Sequence, residues 1–188
     1  MRHIILCFVI VFAAAGCRRA DASATISQEQ GGVTETTGAS PRAGAPAGYI
    51  REVHRGTQLE FDIPVSWNRE THGDVMVITT PGVGLELVAA TGGLEARADE
   101  KAMLAAVGRT LKNAKLTSPM KSVSQHGLTG FAASGKGQKN GAEVDWFTSA
   151  VGDGHGHAIL ALGFYRPDTS EEARTQMVHV LDSIQPVR

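Results

Sequence analysis

The chain has 188 residues, with 18 basic and 19 acidic side chains, a formal net charge of −1 at pH 7 and 42% hydrophobic residues. This composition is typical of an ordinary globular protein and contains no basic stripe, so it argues against nucleic acid as a partner. The sequence has two cysteines, Cys7 and Cys17, both near the N-terminus. A disulfide or a Cys-based metal site in the rest of the chain is therefore excluded.

The N-terminus has the layout of a secretory signal. Arg2 supplies a positive charge, an apolar run extends over residues 4–15, and small residues precede Cys17. A membrane-spanning helix needs roughly 20 apolar residues, so this shorter run predicts a signal peptide over residues 1–16 and no permanent span. The alternative is a buried N-terminal helix, but the run has no polar positions to give such a helix a solvent face.

The residues Ala14-Ala15-Gly16-Cys17 resemble the lipobox of bacterial lipoproteins. In that family the cysteine becomes the mature N-terminus and carries lipid on its sulfur and amine. The resemblance implies that Cys17 is lipidated, for example with palmitate. It also implies that the protein is held on a membrane of the bacterial cell envelope, facing the periplasm or the exterior. Two or three acyl chains hold a protein on a membrane for practical purposes.

The segment after the cysteine is predicted to be a flexible tether. Residues 17–48 are rich in Ala, Gly, Ser, Thr and Pro and contain no aromatic residue. Such a segment cannot bury enough apolar surface to offset its conformational entropy. A flexible chain of this length has a root-mean-square span of about 30 Å, which would hold a folded part clear of the lipid headgroups.

Residues 49–188 have a suitable length for a single globular domain with one core. Residues 57–63 alternate between apolar and polar side chains, which predicts a half-buried strand. Residues 74–80 and 84–91 predict a hairpin, and Trp67 is expected at a rim. On the first strand the inward-facing residues are Leu59, Phe61 and Ile63, and the outward-facing ones are Glu60 and Asp62.

A helix is predicted over residues 96–113, about four turns long. Met103, Val107 and Leu111 stand four residues apart and form one apolar stripe, and Asp99 is a candidate N-cap. Strands return in residues 121–165, which are divided by three sets of turn residues: His126-Gly127, residues 138–141 and residues 152–154. This pattern predicts an antiparallel meander of four strands. The last strand, Ala158–Tyr165, is apolar on both faces and is therefore expected in the middle of the sheet.

A second helix closes the chain. Pro167, Asp168 and Thr169 signal its start, and Thr169 and Glu172 have the spacing of a capping box. Its apolar stripe is expected to pack on the sheet beside Leu160 and Phe164. The stripe consists of Ala173, Met177, Leu181 and Ile184, and Pro186 ends the helix.

These elements predict an α+β fold in which two main helices pack on a mostly antiparallel sheet of about six or seven strands. The order of the elements, "FDIPVSW" at residues 61–67 and "VLDSIQP" at residues 180–186, resembles the Mog1/PsbP-like fold, an α/β/α sandwich. The resemblance covers residues 50–188. It implies an accessory or binding module without catalytic activity, and it assigns no functional residue to this sequence.

The loop Gly152–His157 is the one weak candidate for a metal site. Asp153, His155 and His157 alternate, so an early strand start would place them on one face, where imidazole and carboxylate can bind Zn²⁺ or Cu²⁺. The alternative is a glycine-rich hairpin loop with solvated histidines. Four further histidines are predicted to be surface or boundary residues: His54, His72, His126 and His179.

No catalytic motif is present in the sequence. There is no G-x-S-x-G nucleophile elbow and no phosphate-binding glycine loop before a helix, so neither catalysis nor a cofactor is predicted. Two functions remain open. The first is a lipid-anchored envelope module that binds a protein or cell-wall component through a sheet face or hairpin tips. The second is an envelope metal-binding or enzymatic protein that uses the Gly152–His157 loop.

Overall fold

The computed structural model describes residues 45–90 and 93–187. The predicted signal peptide, the lipidated Cys17 and the tether as far as residue 44 lie outside the described residues. The predictions made for them stay predictions. No helix in the described part of the chain is long and apolar enough to cross a membrane.

The described residues form eleven strands and two helices, all named here in chain order. The strands before the first helix are β1 (Tyr49–His54), β2 (Leu59–Pro64), β3 (Asn68–His72), β4 (Val75–Thr80) and β5 (Val83–Ala89). Helix α1 (Glu100–Val107) is followed by β6 (Lys112–Leu116), β7 (Lys121–Gln125), β8 (Leu128–Lys139), β9 (Ala142–Gly152) and β10 (Ala158–Tyr165). Helix α2 (Glu171–Asp182) and the short strand β11 (Gln185–Pro186) close the fold.

The strands form two antiparallel sheets. The large sheet has eight strands in the order β3-β4-β5-β10-β9-β8-β6, and β7 pairs with β8 next to β6. The small sheet has the order β1-β2-β11. The predicted α+β class with two helices and a mostly antiparallel sheet is confirmed. The strand count exceeds the predicted six or seven because β3 is exposed along its whole length and because β6 begins within the predicted first helix.

The large sheet has an apolar core on each face. On one face, α2 and the small sheet enclose a cluster that includes Phe61, Ile78, Leu85, Met177 and Leu181. On the other face, α1 packs on a second cluster that includes Met103, Val107, Val144, Trp146 and Leu162. Trp67, which was expected at a rim, belongs to the first cluster and is 4% exposed.

The hairpin turns predicted from local sequence are confirmed. His126 and Gly127 have φ values of 49° and 83°, and Asn140 and Gly141 have φ values of 52° and 83°. Two consecutive positive φ values are what a two-residue type I′ turn requires. Strand Ala158–Tyr165 lies between β5 and β9, as its apolar faces predicted.

Helix α1 is shorter than predicted. It ends at Val107 with Gly108 as the C-cap, and Leu111 is buried only after the chain has left the helix. The helix ends at Gly108 because glycine destabilises a helix interior. The predicted cap is confirmed, since the Asp99 side chain accepts a hydrogen bond of 2.9 Å from the Ala102 N–H.

The N-cap of α2 is Ser170, one residue after the predicted position. Its side chain accepts a hydrogen bond from the Ala173 N–H, while the Thr169 hydroxyl donates to the Gly82 carbonyl at 3.0 Å. Because the Thr169 hydroxyl is hydrogen-bonded to the loop between β4 and β5, Ser170 caps the helix in its place.

The predicted contact of α2 with Leu160 and Phe164 is wrong. Residues alternate between the two faces of a strand, and α2 meets the face of β10 that carries Ile159 and Ala161. Gly163 lies on this same face, where an added Cβ would come 2.6 Å from the Met177 sulfur. Leu160 and Phe164 point to the α1 side instead.

Candidate functional site

The Gly152–His157 loop is closed by hydrogen bonds to one carboxylate. Asp153 Oδ1 accepts from the backbone N–H groups of His155 at 2.7 Å and His157 at 3.2 Å. Asp153 Oδ2 lies 2.7 Å from His157 Nδ1. Burial favours the neutral acid, but these hydrogen bonds outweigh it and lower the pKa of Asp153 to about 2. The carboxylate therefore stabilises the loop.

The loop does not place its three candidate ligands on one strand face. Residues 153–157 lie between β9 and β10, and the strand begins only at Ala158. Asp153 and His157 contact each other, whereas His155 contributes its backbone N–H. No group of three His, Cys, Asp or Glu residues among residues 45–90 and 93–187 is arranged to hold a metal ion.

His54 is buried, which corrects the prediction of a surface or boundary position. The side chain is 3% exposed at the end of β1. Its Nε2 lies 3.0 Å from the Asp74 carbonyl oxygen, and its Nδ1 lies 3.2 Å from the Thr57 hydroxyl. Because both ring nitrogens have polar neighbours, His54 has a structural role in the turn between β1 and β2.

A different set of polar residues comes together on β2. Glu60 and Asp62, predicted to face outward, are 6% and 3% exposed. The small sheet places Arg51 of β1 directly opposite Asp62. Arg51 Nε donates to Asp62 Oδ1 at 2.8 Å and Arg51 Nη2 donates to Asp62 Oδ2 at 3.1 Å, which raises the pKa of Arg51. This bidentate ion pair stabilises the buried carboxylate of Asp62.

The end of α2 covers this ion pair. The Asp62 N–H donates to the Ser183 hydroxyl oxygen at 2.8 Å, and the Ser183 hydroxyl donates to the Val180 carbonyl at 2.8 Å. Gln185 Nε2 donates to Glu60 Oε1 at 3.2 Å where β11 pairs with β2. The hydroxyl proton of Ser183 is thus directed to the backbone, which is the geometry of a helix cap and not of a nucleophile.

His179 lies above the ion pair with one nitrogen unsatisfied. Its Nε2 is 3.8 Å from Asp62 Oδ2, is shielded from solvent and has no hydrogen-bond partner among the described residues. Its ring packs against Tyr49 with centroids 4.5 Å apart. Burial, followed by the negative charges of Asp62 and Glu172, raises the pKa of Tyr49. His179 is therefore a boundary residue, as predicted, but one with specific neighbours.

The hairpin tip between β7 and β8 forms the opposite wall. Gln125 Nε2 donates to the Leu181 carbonyl at 2.9 Å, and His126 Nε2 lies 3.0 Å from the Asp182 carbonyl oxygen. Between this tip, α2 and the small sheet is a half-open cleft of about 230 Å³. We call it the Asp62 cleft, and it is lined by Arg51, Asp62, His126, His179, Asp182, Ser183 and Gln185.

The sequence did not indicate the Asp62 cleft. Arg51 and Asp62 become neighbours only through the register of the β1–β2 hairpin, whose turn lacks an Asn-Gly signal. Ser183 reaches Asp62 across 121 positions of sequence. The alternation in residues 57–63 was the one sequence signal for this cleft. It placed Glu60 and Asp62 correctly on the face of β2 opposite the apolar residues, but it did not show that this face is covered.

The chain matches no protein-family model and no curated protein. Among solved structures, it is similar to cyanobacterial PsbP (CyanoP) from Synechocystis, with a TM-score of 0.54 and 11% identity over 80% of this chain and 99% of that chain. A Pseudomonas aeruginosa protein of unknown function gives a TM-score of 0.47 and 12% identity over 74% and 98% of the two chains. LpqN, involved in cell envelope biogenesis of Mycobacterium tuberculosis, gives 0.39 and 14% over 73% and 91%. The similarity to CyanoP, with the α+β architecture above, shows that the fold of this chain is PsbP-like.

Proposed function

We propose that this protein is a lipid-anchored accessory protein of the bacterial cell envelope that binds a protein or cell-wall component and has no catalytic activity. Binding takes place at the Asp62 cleft, beside a hairpin tip. Membrane attachment is through lipid on Cys17. The resemblance of Ala14-Ala15-Gly16-Cys17 to a lipobox and the polar segment that follows it support this location.

The unsatisfied His179 Nε2 carries the proposal of a binding cleft. A buried polar atom without a partner costs free energy, so such atoms are rare in folded proteins unless a ligand or water completes them. This nitrogen lies at a half-open cleft that the described residues do not fill. A ligand that forms a hydrogen bond with His179 Nε2 would remove the cost.

The charges of the cleft favour a ligand with an amine or amide group. Among the residues that line the cleft, the charge of Arg51 is matched by Asp62, which leaves the carboxylate of Asp182 as the excess negative charge. Carboxylates accept hydrogen bonds and attract cations. Amines and amides are present in proteins and in the peptide part of a cell wall.

Site-specific photocrosslinking in cells tests the binding site. A photoreactive amino acid replaces His126 at the tip of the β7–β8 hairpin, or Asn140 at the tip of the β8–β9 hairpin as a control. The control is matched, since both residues are exposed and start type I′ turns with φ near 50°. We expect a specific adduct from position 126 and none from position 140, identified by mass spectrometry.

A second substitution links that adduct to the cleft. His179→Ala, introduced with the photoreactive residue at position 126, should abolish the adduct, while Val178→Ala on the exposed side of α2 should leave it unchanged. Equal adducts from positions 126 and 140, or an adduct that persists in His179→Ala, would contradict binding at the Asp62 cleft.

The membrane attachment is tested separately with Cys17→Ser. Serine lacks the thiol that accepts the lipid, so labelling by a fatty-acid analogue should be lost and the protein should leave the membrane fraction. A Cys7→Ser protein is the control, because Cys7 lies inside the predicted signal peptide. Unchanged labelling of Cys17→Ser would refute the lipid anchor.

A further inference from the structure

The basic residues of the described chain are unevenly distributed. Residues 101–142 contain seven basic side chains and no acidic one. This span includes every lysine of the protein and builds α1, β6, β7 and β8. The seven residues are Lys101, Arg109, Lys112, Lys115, Lys121, Lys136 and Lys139.

Strand pairing brings three of these lysines to one face at one edge of the large sheet. Lys112 lies opposite Gln138, Lys115 opposite Lys136, and Lys121 opposite Ala132. Paired residues of antiparallel strands point to the same face, as do alternate residues of one strand. Lys112, Lys115 and Lys121 are all exposed. We call these three residues the lysine edge.

The three residues of the lysine edge have no ion-pair partner among the described residues. Lys136 is held by Glu143 at 3.2 Å and by Asp145 at 3.8 Å, and these contacts raise its pKa. Lys112, Lys115 and Lys121 form no ion pair in the part of the chain that the structure describes. Lys115 and Lys136 are paired across β6 and β8, and like charges on directly paired residues destabilise a sheet. An anion outside the chain would relieve this repulsion.

The choice of lysine over arginine at this edge indicates which class of partner it binds. Strands β6, β7 and β8 contain no arginine. Protein–protein interfaces are enriched in arginine and aromatic residues and depleted in lysine. Lysine is a strongly hydrated point charge on a flexible stem, and lysines near a membrane are attracted to anionic lipid surfaces.

We propose that the lysine edge docks the domain onto an anionic phospholipid surface. This goes beyond the proposed function and rests on its membrane anchor, because a tether of about 30 Å keeps the domain within reach of the headgroups. Each lysine close to an anionic surface raises membrane affinity roughly fivefold. The β6–β7 edge would then contact the membrane and fix the orientation of the domain relative to it.

Lysine labelling on vesicles tests the docking. The protein with its native N-terminus is reconstituted into vesicles of phosphatidylcholine, or of an equal mixture of phosphatidylcholine and phosphatidylglycerol. An amine-reactive reagent that does not cross membranes is applied, and modified residues are quantified by mass spectrometry. In the anionic vesicles we expect at least about fivefold lower labelling of Lys112, Lys115 and Lys121. Lys101, exposed on α1 on the other side of the sheet, is the internal control.

Salt and substitutions complete the test. At about 1 M salt the Debye length falls to about 3 Å, so the protection should be lost. Lys115→Gln should weaken the protection of Lys112 and Lys121, whereas Lys101→Gln should not. A protein without a lipid anchor would not remain on the phosphatidylcholine vesicles, which separates failure of the anchor from failure of docking. Equal labelling on both vesicles overturns the proposal, and so does protection that needs native envelope material, which would indicate an acidic macromolecule.

Discussion

Asp62 is an acidic side chain that is only 3% exposed. Two hydrogen bonds from Arg51 hold its oxygens, and the Ser183 hydroxyl accepts from its backbone N–H. Buried charges are tolerated when they are paired and hydrogen-bonded in this way. The Arg51–Asp62 pair thus lies within the small sheet, and the Asp62 N–H links that sheet to the end of α2.

Removing one member of this pair should be costly. We expect Asp62→Ala to lower the free energy of unfolding by about 3 kcal/mol, because it leaves Arg51 without its main partner in a largely buried position. Glu143→Ala is the control, since it breaks an ion pair between neighbouring strands in which both side chains are exposed. Its effect should stay below about 1 kcal/mol. Denaturant unfolding of both variants measures the difference, and equal effects would mean that Asp62 is not held as described.

The Asp153 loop should lose stability in acid. The folded pKa of about 2 lies below the unfolded value of 3.8, so the ionised carboxylate stabilises the folded state. That contribution is complete above about pH 4 and disappears as the pH falls towards 2. It should not exceed about 1 kcal/mol, because solvent screens an exposed loop.

The measurement for this prediction compares wild type with Asp153→Asn at pH 6 and at pH 2. The stability difference should be present at pH 6 and largely lost at pH 2. Asp168→Asn, at an exposed ion pair with Arg166, serves as the control. An NMR titration that gave Asp153 a pKa near 4 would contradict the hydrogen-bonded loop.

What the sequence could predict at this scale was the direction of side chains, not their surroundings. Leu59, Phe61 and Ile63 are fully buried, as the alternation predicted. The same alternation placed Glu60 and Asp62 on the opposite face, but the cover over that face comes from α2 and β11, more than a hundred residues later. Long-range contacts of this kind leave no periodic signal in the strand itself.

At the scale of elements, the sequence predicted strands and hairpins correctly where turn residues determine the backbone conformation. The glycines at 127 and 141 permit positive φ, so the hairpins and their strands could be predicted. The prediction was wrong where apolar residues kept the helical spacing beyond the end of the helix. Leu111 keeps the helical spacing of α1, yet the chain has already turned towards β6, where Asn113 has a φ of 53°.

The placement of α2 can be tested by combining substitutions. Leu181→Ala should cost about 2–5 kcal/mol because it leaves a cavity in the core, while Val178→Ala, 48% exposed, should cost less than about 0.5 kcal/mol. Leu160 lies on the other face of the large sheet. The effects of Leu181→Ala and Leu160→Ala should therefore add within about 0.5 kcal/mol. A larger coupling energy in denaturant unfolding would show that the two side chains share one core.

At the scale of the whole molecule, sheet order creates surfaces that no stretch of sequence contains. The sequence shows that residues 101–142 carry basic and no acidic side chains, but it does not show that Lys112, Lys115 and Lys121 share one face. Pairing of β6 and β7 with the same strand β8 brings them to one edge. The Asp62 cleft arises likewise, from the two ends of the domain meeting at β2. Both proposed surfaces depend on topology, which the composition of the chain does not determine.

Residues 49–188 are predicted to form one cooperative unit. A chain of residues 49–188 should unfold in a single sharp transition, because β1 begins at Tyr49 and pairs with β2 along its whole length. A chain that begins at residue 57 lacks Arg51 and exposes the edge of β2, so it should unfold at a clearly lower denaturant concentration or show no transition. Equal stability of the two chains would mean that β1 is not part of the unit. Loss of the transition in residues 49–188 would mean that the segment before Tyr49 is needed to fold.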